Sequence, residues 1–490
     1  MDAQTIRELG PRLEGFLSGF SDCFPGPETR SLSLAYLRGL LSETERKNVE
    51  RIALRANIPP RTLQEFISSY NWDHDRLRSQ LQNVVARDHA SINSVGIIDE
   101  TSFVKKGDKT PGVQRQYCGA VGKQENCFVT VHMSYESMGF RCQLDGELFL
   151  PESWSNDRER CRAAGVPDSM VYRPKTEIAI ELYQRCIGNG LLFQWLTFDE
   201  WYGAKPQFLS ALVQAKQFYV GETHGDHRVW GKRPKITNRT YNKKGKTSKK
   251  SSKKSSKKTS KKTPRLASGS PKATTVKELV ESSAFRKKRW TRWHVKDTEK
   301  GPKVVECKTI VVFPKNEHGL PSVPHLLLVV RDVLTNEIKY FLCFAPLNTP
   351  INLLIKVAFA RWSVERCFED EKSYVGLDHY EGRCYTGMIR HIILCALSLL
   401  FLSKARLELS QNYPEVTVSQ IRQATSALVA SWWQSETAGN SNIEQAARRI
   451  DYYQHRNAQA RKSHAKTRIA KLESLGINMD TVRRCEWNSP

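Results

Sequence analysis

The sequence has no Cys-x-x-Cys pair, no apolar run long enough for a membrane span, and no acidic residue across positions 227–277. Each absence excludes a class. The 12 cysteines fall at irregular spacings in a chain of 490 residues, which argues against a disulfide scaffold. Reduced thiols in a cytoplasmic protein are expected. The longest apolar run, Ile392 to Leu402 (IILCALSLLFL), is too short to cross a bilayer and reads as a buried helix. Met1 to Pro25 lacks the charged start and apolar stretch of a signal peptide, so no membrane partner is expected. His224, Asp226 and His227 have no further Cys or His at zinc-like spacing and read as a polar turn.

Basic charge is what the chain has in excess. The formal net charge is +25, and residues 227–277 hold 19 Lys or Arg with no acid, leaving +6 (25 minus 19) for the rest. Such a segment seeks a polyanion; nucleic acid fits best, with an anionic membrane surface as the rival. The 39% hydrophobic fraction suffices for real cores, and the length predicts about three or four domains.

Residues 1–90 are expected to form a helical N-terminal domain. Glu45 to Ile58 has helical spacing of Val49, Ile52, Ala53 and Ala56, Pro59-Pro60 stops it, and Arg61 to Tyr70 resumes. A DNA-binding helix-turn-helix and a plain helical bundle both fit. Residues 91–224 change texture: an apolar run Ser94 to Ile98 ends at Asp99, β-type alternation follows in Gly112 to Gly122 and Cys127 to Tyr135, and Glu177 to Asn189 is an amphipathic helix. Leu191 to Phe198 is a second buried strand ending at Asp199; Lys205 to Ala215 is helical and Gln217 to Gly221 extended. This outlines a mixed α/β sheet. Residues 225–350 are expected to form a β-rich insertion with strands at Trp290 to His294, Val304 to Phe313 and Leu326 to Phe344. It carries a Lys/Ser/Thr tract, 243–263, with nothing to bury, expected to be a disordered loop. Residues 351–403 resume the core with one strong helix from Asn352 to Tyr374, and 404–490 form a helical C-terminal region. Its basic stretch Ile443 to Lys471 leaves dimerisation, DNA contact and plain packing open.

Asp99 and Asp199 each follow a buried strand, and strand ends converge at one edge of such a sheet. A carboxylate on a later helix can join them there. On the 352–374 helix, Arg361 lies roughly 40° and Lys372 about 20° from Glu365 around the axis, so the three form one stripe. A carboxylate flanked by cations can bind metal while the cations hold phosphates. A solvated salt-bridge face is the competing reading, and Glu369 and Glu371 are rival carboxylates. Carboxylates suit Mg²⁺, and two such ions roughly 4 Å apart can activate an attacking oxygen and stabilise a leaving one.

These residues carry a resemblance. The set resembles the DDE transposases of bacterial insertion sequences, and the helix is similar to their Y-x2-R-x3-E-x6-K signature at Arg361, Glu365 and Lys372, with Ala358 at the Tyr position. The segments RWSVERCFEDEKSYVGLDHYEGR, IDETSFVKKG and GVQRQYCGAVGKQENC resemble the insertion-sequence-701-like branch. The resemblance implies an RNase H-like catalytic core, interrupted by the β-rich insertion and flanked by the N- and C-terminal helical regions. It implies Asp99, Asp199 and Glu365 as catalytic metal ligands for two Mg²⁺ (or Mn²⁺) ions. The implied activity is cleavage at element ends and strand transfer into target DNA. The partners would be double-stranded DNA (terminal inverted repeats and target) and a second copy in a homodimeric synaptic complex, in a bacterial cytoplasm at the nucleoid. DNA contacts are expected from Arg361 and Lys372. Trp290 and Trp293 are candidates to hold a flipped base, against a core role for both. Lys249, Lys250, Lys253, Lys254, Lys257 and Lys258 would add salt-dependent affinity, with a localisation signal or an RNA contact as alternatives. A catalytically inactive, transposase-derived regulatory protein and a general RNase H-like nuclease are the rival functions.

Overall fold

The computed structural model describes residues 1–240 and 262–487. The chain is mixed α/β. Its strands are β1 (Val95–Val104), β2 (Gln114–Cys118), β3 (Lys123–Ser137), β4 (Phe140–Phe149), β5 (Trp195–Phe198), β6 (Tyr219–Thr223), β7 (Arg228–Trp230), β8 (Ile236–Thr240), β9 (Lys262–Leu266), β10 (Thr274–Thr275), β11 (Thr291–Thr298), β12 (Gly301–Pro314), β13 (His325–Asp332), β14 (Ile338–Phe344) and β15 (Arg483–Arg484). All but the β8–β9 hairpin join one sheet, with the path β10-β7-β12-β13-β14-β6-β5-β1-β3-β2. At its heart, β4, β3 and β1 run antiparallel, while β1, β5 and β6 run parallel.

β4 is absent from the sequence expectation, and its burial explains why. It is buried on both faces, so it has no polar–apolar alternation, and its interior carries Asp145 and Glu147. Those acids are neutralised from the helices: Asp145 pairs with Arg78 at 2.9 Å and Arg185 at 2.8 Å. The turn from β3 into β4 places Met138 (φ 47°) and Gly139 (φ 83°) in the left-handed region, the geometry of a tight two-residue hairpin.

The strands of 225–350, the β8–β9 hairpin apart, join the core sheet. β14 pairs antiparallel with β6, so β12, β13 and β14 extend the core sheet. The extension covers the β6 edge, which would otherwise expose unpaired backbone groups. The Lys-rich tract, with Lys249, Lys250, Lys253, Lys254, Lys257 and Lys258, lies outside the described residues. Its last expected residues, Lys262 and Thr263, already pair with β8.

Helices cover the sheet. The apolar run at 392–402 sits inside the helix Tyr385–Leu409, long and apolar enough to cross a membrane but 94% buried over its apolar window. It packs on β4 and on the N-terminal helices Gly26–Leu41, Pro60–Ser68 and His74–Asp88. Arg390, buried on this helix, donates to the carbonyls of Tyr70 at 2.8 Å and Trp72 at 2.7 Å, satisfying groups just beyond the end of the Pro60–Ser68 helix. N- and C-terminal helices thus share one core with the sheet. The expected helix at 45–58 is shorter, Val49–Arg55, because Asn48 caps it by accepting from the Arg51 N–H at 2.9 Å. A further helix, Ala3–Ser18, buries Ile6, Leu9, Leu13 and Leu17 despite Pro11 within it.

Candidate active site

Ile98 and Phe198 are the last partners of the parallel β1–β5 pairing. Asp99 and Asp199 are the next residue on each strand, so the pairing register itself sets the two carboxylates side by side. Their strands then diverge in behaviour. β1 continues to Val104 because β3 keeps pairing with it, which places Asp99 mid-strand and not at the expected strand end. β5 stops, and Asp199 turns into the short helix Glu200–Gly203, its side chain accepting from the Tyr202 N–H at 3.1 Å. A Cβ on Gly203 would sit 1.9 Å from the Glu222 carbonyl oxygen. Glycine there lets this turn seat directly against β6.

Arg361 gathers the site. Its guanidinium lies 3.5 Å from Asp99, 3.4 Å from Glu222 on β6 and 3.0 Å from Glu365. The expected single helix is interrupted at Arg361, between the helices Ile351–Ala360 and Trp362–Asp370, and ends in a π-helical turn, Glu371–Val375. Glu365 is 56% exposed, so its carboxylate is open to incoming ligands. Lys372, on the π turn, donates to Thr101 Oγ1 at 2.7 Å and lies over the Phe103 ring. Asp99, Thr101 and Phe103 alternate onto one face of β1, so Arg361 and Lys372 flank successive positions of that face.

The rival carboxylates go elsewhere. Glu369 is exposed and pairs with Arg366 at 2.8 Å. Glu371 is fully buried with neither carboxylate oxygen bonded, and burial, then Asp370, pushes it up to about 8.

Sequence reasoning passed over Glu222, although it follows an apolar strand just as Asp99 and Asp199 do (QFYVGE). It pairs with Lys339 at 2.8 Å as well as with Arg361. Glu100 pairs with Lys175 at 2.8 Å. Trp201, 40% exposed beside Asp199, is flanked by Lys175 and Lys205. Trp290 and Trp293 are held by protein neighbours: Trp290 lies between Lys308 and Arg331, and Trp293 is buried with its indole N–H on Thr291 at 2.9 Å. A cavity of about 510 Å³ adjoins the acids, lined by Asp199, Glu200, Glu222, His224, Lys339 and Arg361 among others. His224 faces Glu200 at 3.3 Å.

The electrostatics show what this arrangement lacks. Burial, then the neighbouring Asp199, pushes Asp99 up to about 7; the Glu100 backbone N–H and Arg361 pull the other way. Burial also raises Asp199, opposed by the Tyr202 backbone N–H and Arg361. Burial works against the Arg361 charge, but Asp99, Glu365, Glu222 and Asp199 together hold it. Asp99, Asp199, Glu222 and Glu365 therefore outnumber the cations that serve them. Among the described residues, no group of three His, Cys, Asp or Glu side chains is assembled around one point, because Arg361 lies between the acids. The donor set nonetheless fits a hard divalent cation: all are carboxylate oxygens, two are raised chiefly by burial, and one is open to solvent.

A family model described as DDE superfamily endonuclease matches residues 19–302, more than half of the chain. The chain belongs to the DDE superfamily endonucleases. The match spans Asp99 and Asp199 and ends before the helix that carries Glu365. The chain is also similar to a protein described as a probable transposase for insertion sequence element IS701, from Microchaete diplosiphon. The two are 30% identical over 207 residues, 41% of this chain and 52% of the relative. The chain thus spans about half the length of the curated relative it matches.

Proposed function

We propose that this DDE endonuclease is an insertion-sequence transposase. Asp99, Asp199 and Glu365 would hold two divalent ions, Mg²⁺ or Mn²⁺, on an RNase H-like core. The observation that carries the reading is the convergence of strand acids and helix Glu365 on Arg361, in a chain of this family. When bound, the ions activate the attacking oxygen and stabilise the leaving one. Asp99 must lose its proton to serve as a ligand, and Asp199 is already oriented by the Tyr202 N–H. Glu365, exposed on its helix, closes the set. With these carboxylates engaged, Arg361 becomes available to a DNA phosphate, and Lys372 lies further along the same face of β1. Cleavage at the terminal inverted repeats frees a 3′-OH, which attacks target DNA in a cut-and-paste reaction. The working form is a homodimer on paired DNA ends, in the cytoplasm at the nucleoid. The Lys-rich tract adds non-specific, salt-dependent DNA affinity.

The test is a cleavage and strand-transfer assay on duplexes carrying the element ends, with Mg²⁺, comparing the parent protein with Glu365→Ala. Cutting at the repeat ends by the parent and none by the variant is expected. Cleavage that survives Glu365→Ala but is lost in Glu369→Ala would reassign the third ligand. Binding without cutting by the parent would leave a regulatory DNA-binding protein.

A further inference from the structure

A second cavity, of about 590 Å³, shares no lining residue with the carboxylate site. It lies between the β3–β4 turn, the end of β11, the Trp362–Asp370 and Tyr385–Leu409 helices, and the start of the Val418–Ser431 helix. Its walls hold the cations Arg141, Lys296, Lys300, Arg366 and Arg406 against the acids Asp297 and Glu299. Arg141 and Arg366 are tied to the buried Asp370, at 2.8 and 3.3 Å. Lys296, Lys300 and Arg406 form no ion pair with a carboxylate among the described residues; Arg406 donates only to the Gly139 carbonyl, at 3.0 Å. The carboxyl of Glu136, pushed up from its ordinary value by burial, acts on Lys296 and Arg141 from a distance.

Two further features point to an anion. Val416, Thr417, Val418 and Ser419 line the cavity, so the N-terminus of a 14-residue helix opens onto it. Thr417 caps the Gln420 N–H, which leaves the first-turn amides of Val418 and Ser419 without a helical acceptor at the positive end of the helix dipole. Independently, Ser403 lines the same cavity, is only 3% exposed, and its hydroxyl has no hydrogen-bond partner. Free amides, an unsatisfied buried hydroxyl and unpaired cations together make an acceptor-poor, positive cleft, which is the environment a phosphate oxygen completes.

We propose that this cleft binds a phosphate group, and that the phosphate is a backbone phosphodiester of duplex DNA lying outside the reacting strand. The assignment rests on the transposase reading above. Arg366 follows Glu365 on the same helix, about 100° around it, so the helix presents its metal-ligand face to one DNA segment and its basic face to this cleft. Lys296 and Lys300, both exposed, are placed to follow the backbone at the rim.

The experiment uses the full chain and the Lys296→Ala/Lys300→Ala double variant, with Ser403→Ala as a probe of the cavity wall. Fluorescence anisotropy of a labelled duplex is read across a salt series, and thermal shift is read with inorganic phosphate. The double variant is expected to bind duplex on the order of tenfold more weakly, with the slope of log affinity against log salt smaller by about one to two. Its Mn²⁺ binding at the carboxylates stays unchanged, and Ser403→Ala loses phosphate protection against heat. Unchanged duplex affinity and salt slope in a folded double variant overturns the proposal while leaving the transposase reading intact. Loss of phosphate protection with duplex binding untouched assigns the cleft to free phosphate and overturns the backbone assignment. A parent protein that neither binds nor cuts duplex defeats the transposase reading, and this one with it.

Discussion

Two acid clusters on the same sheet meet opposite fates. Asp145 on β4 is fully buried, and each of its oxygens is taken by an arginine, Arg78 or Arg185, with Gln82 and the Gly146 N–H adding further bonds. That cluster is closed: its charges are matched and it ties the His74–Asp88 and Lys175–Gly188 helices to the sheet. At the other cluster, by contrast, Asp99, Glu222 and Glu365 meet at one arginine with Asp199 beside Asp99, only Glu222 has a second cation, Lys339, and Glu365 faces water. Burial alone does not distinguish the two, since Asp99 and Asp145 both sit largely out of solvent. The balance of charge does. We read a cluster whose cations match its acids as structural, and one whose acids exceed its cations as the place for the proposed metal ions.

The comparison can be broken most sharply by removing one open-site acid. Asp99→Asn should slow metal-dependent cleavage by about a thousandfold or more while leaving the midpoint of denaturant unfolding near that of the parent. A single-turnover nicking assay alongside an unfolding curve checks both. Asp145→Ala should do the reverse. Removing the buried partner of Arg78 and Arg185, which keep only Asp75 and Glu147, should cost about 3–5 kcal/mol of stability, read by urea unfolding. Activity per folded molecule should hold.

A pH series sharpens the contrast further. The Asp99 carboxyl moves from its ordinary 3.8 to about 7 in the folded state. The folded chain therefore binds this proton more tightly, and the metal-free protein should lose stability as pH rises from about 4 to about 7, then level off. Mn²⁺ must displace that proton, so its affinity should rise about tenfold per pH unit up to about 7 and flatten above. Calorimetric titration at several pH values checks this, and a Mn²⁺ affinity that does not vary between pH 5 and 7 would contradict the assigned burial of Asp99. The smallest effect concerns Glu371, buried, unbonded and pushed up to about 8, hence mostly neutral at pH 7. Glu371→Met should change stability at pH 7 by no more than about 1 kcal/mol, in either direction, measured by thermal unfolding.

Much of the fold was legible because periodicity and punctuation are local. The strands ending near Asp99 and Asp199, the amphipathic helix at Lys175–Gly188, and the apolar helix around 392–402 all announce themselves by spacing. β4 was not legible, because a strand buried on both faces loses its alternation and its acids mimic a loop. Ala3–Ser18 falls within the expected helical region 1–90 and runs through Pro11, sustained by burial of four apolar side chains. Glu222 was within reach of the rule that found the two aspartates, and only the lack of a reason to extend it to a third parallel strand hid it.

By itself, then, the sequence determined which residues could do chemistry: acids after apolar strands, an Arg–Glu–Lys stripe on a later helix, and a basic excess confined to one segment. Such features depend on side-chain type and near-neighbour spacing, which the chain carries wherever it folds. Only the tertiary structure decided which acids meet. The β1–β5 register set Asp99 beside Asp199, the packing of the helices around Arg361 on the sheet set its guanidinium against Asp99, Glu222 and Glu365, and the neighbouring helices gave Asp145 two arginines. Charge balance is a sum over neighbours far apart in the chain, and the fold is what chooses those neighbours.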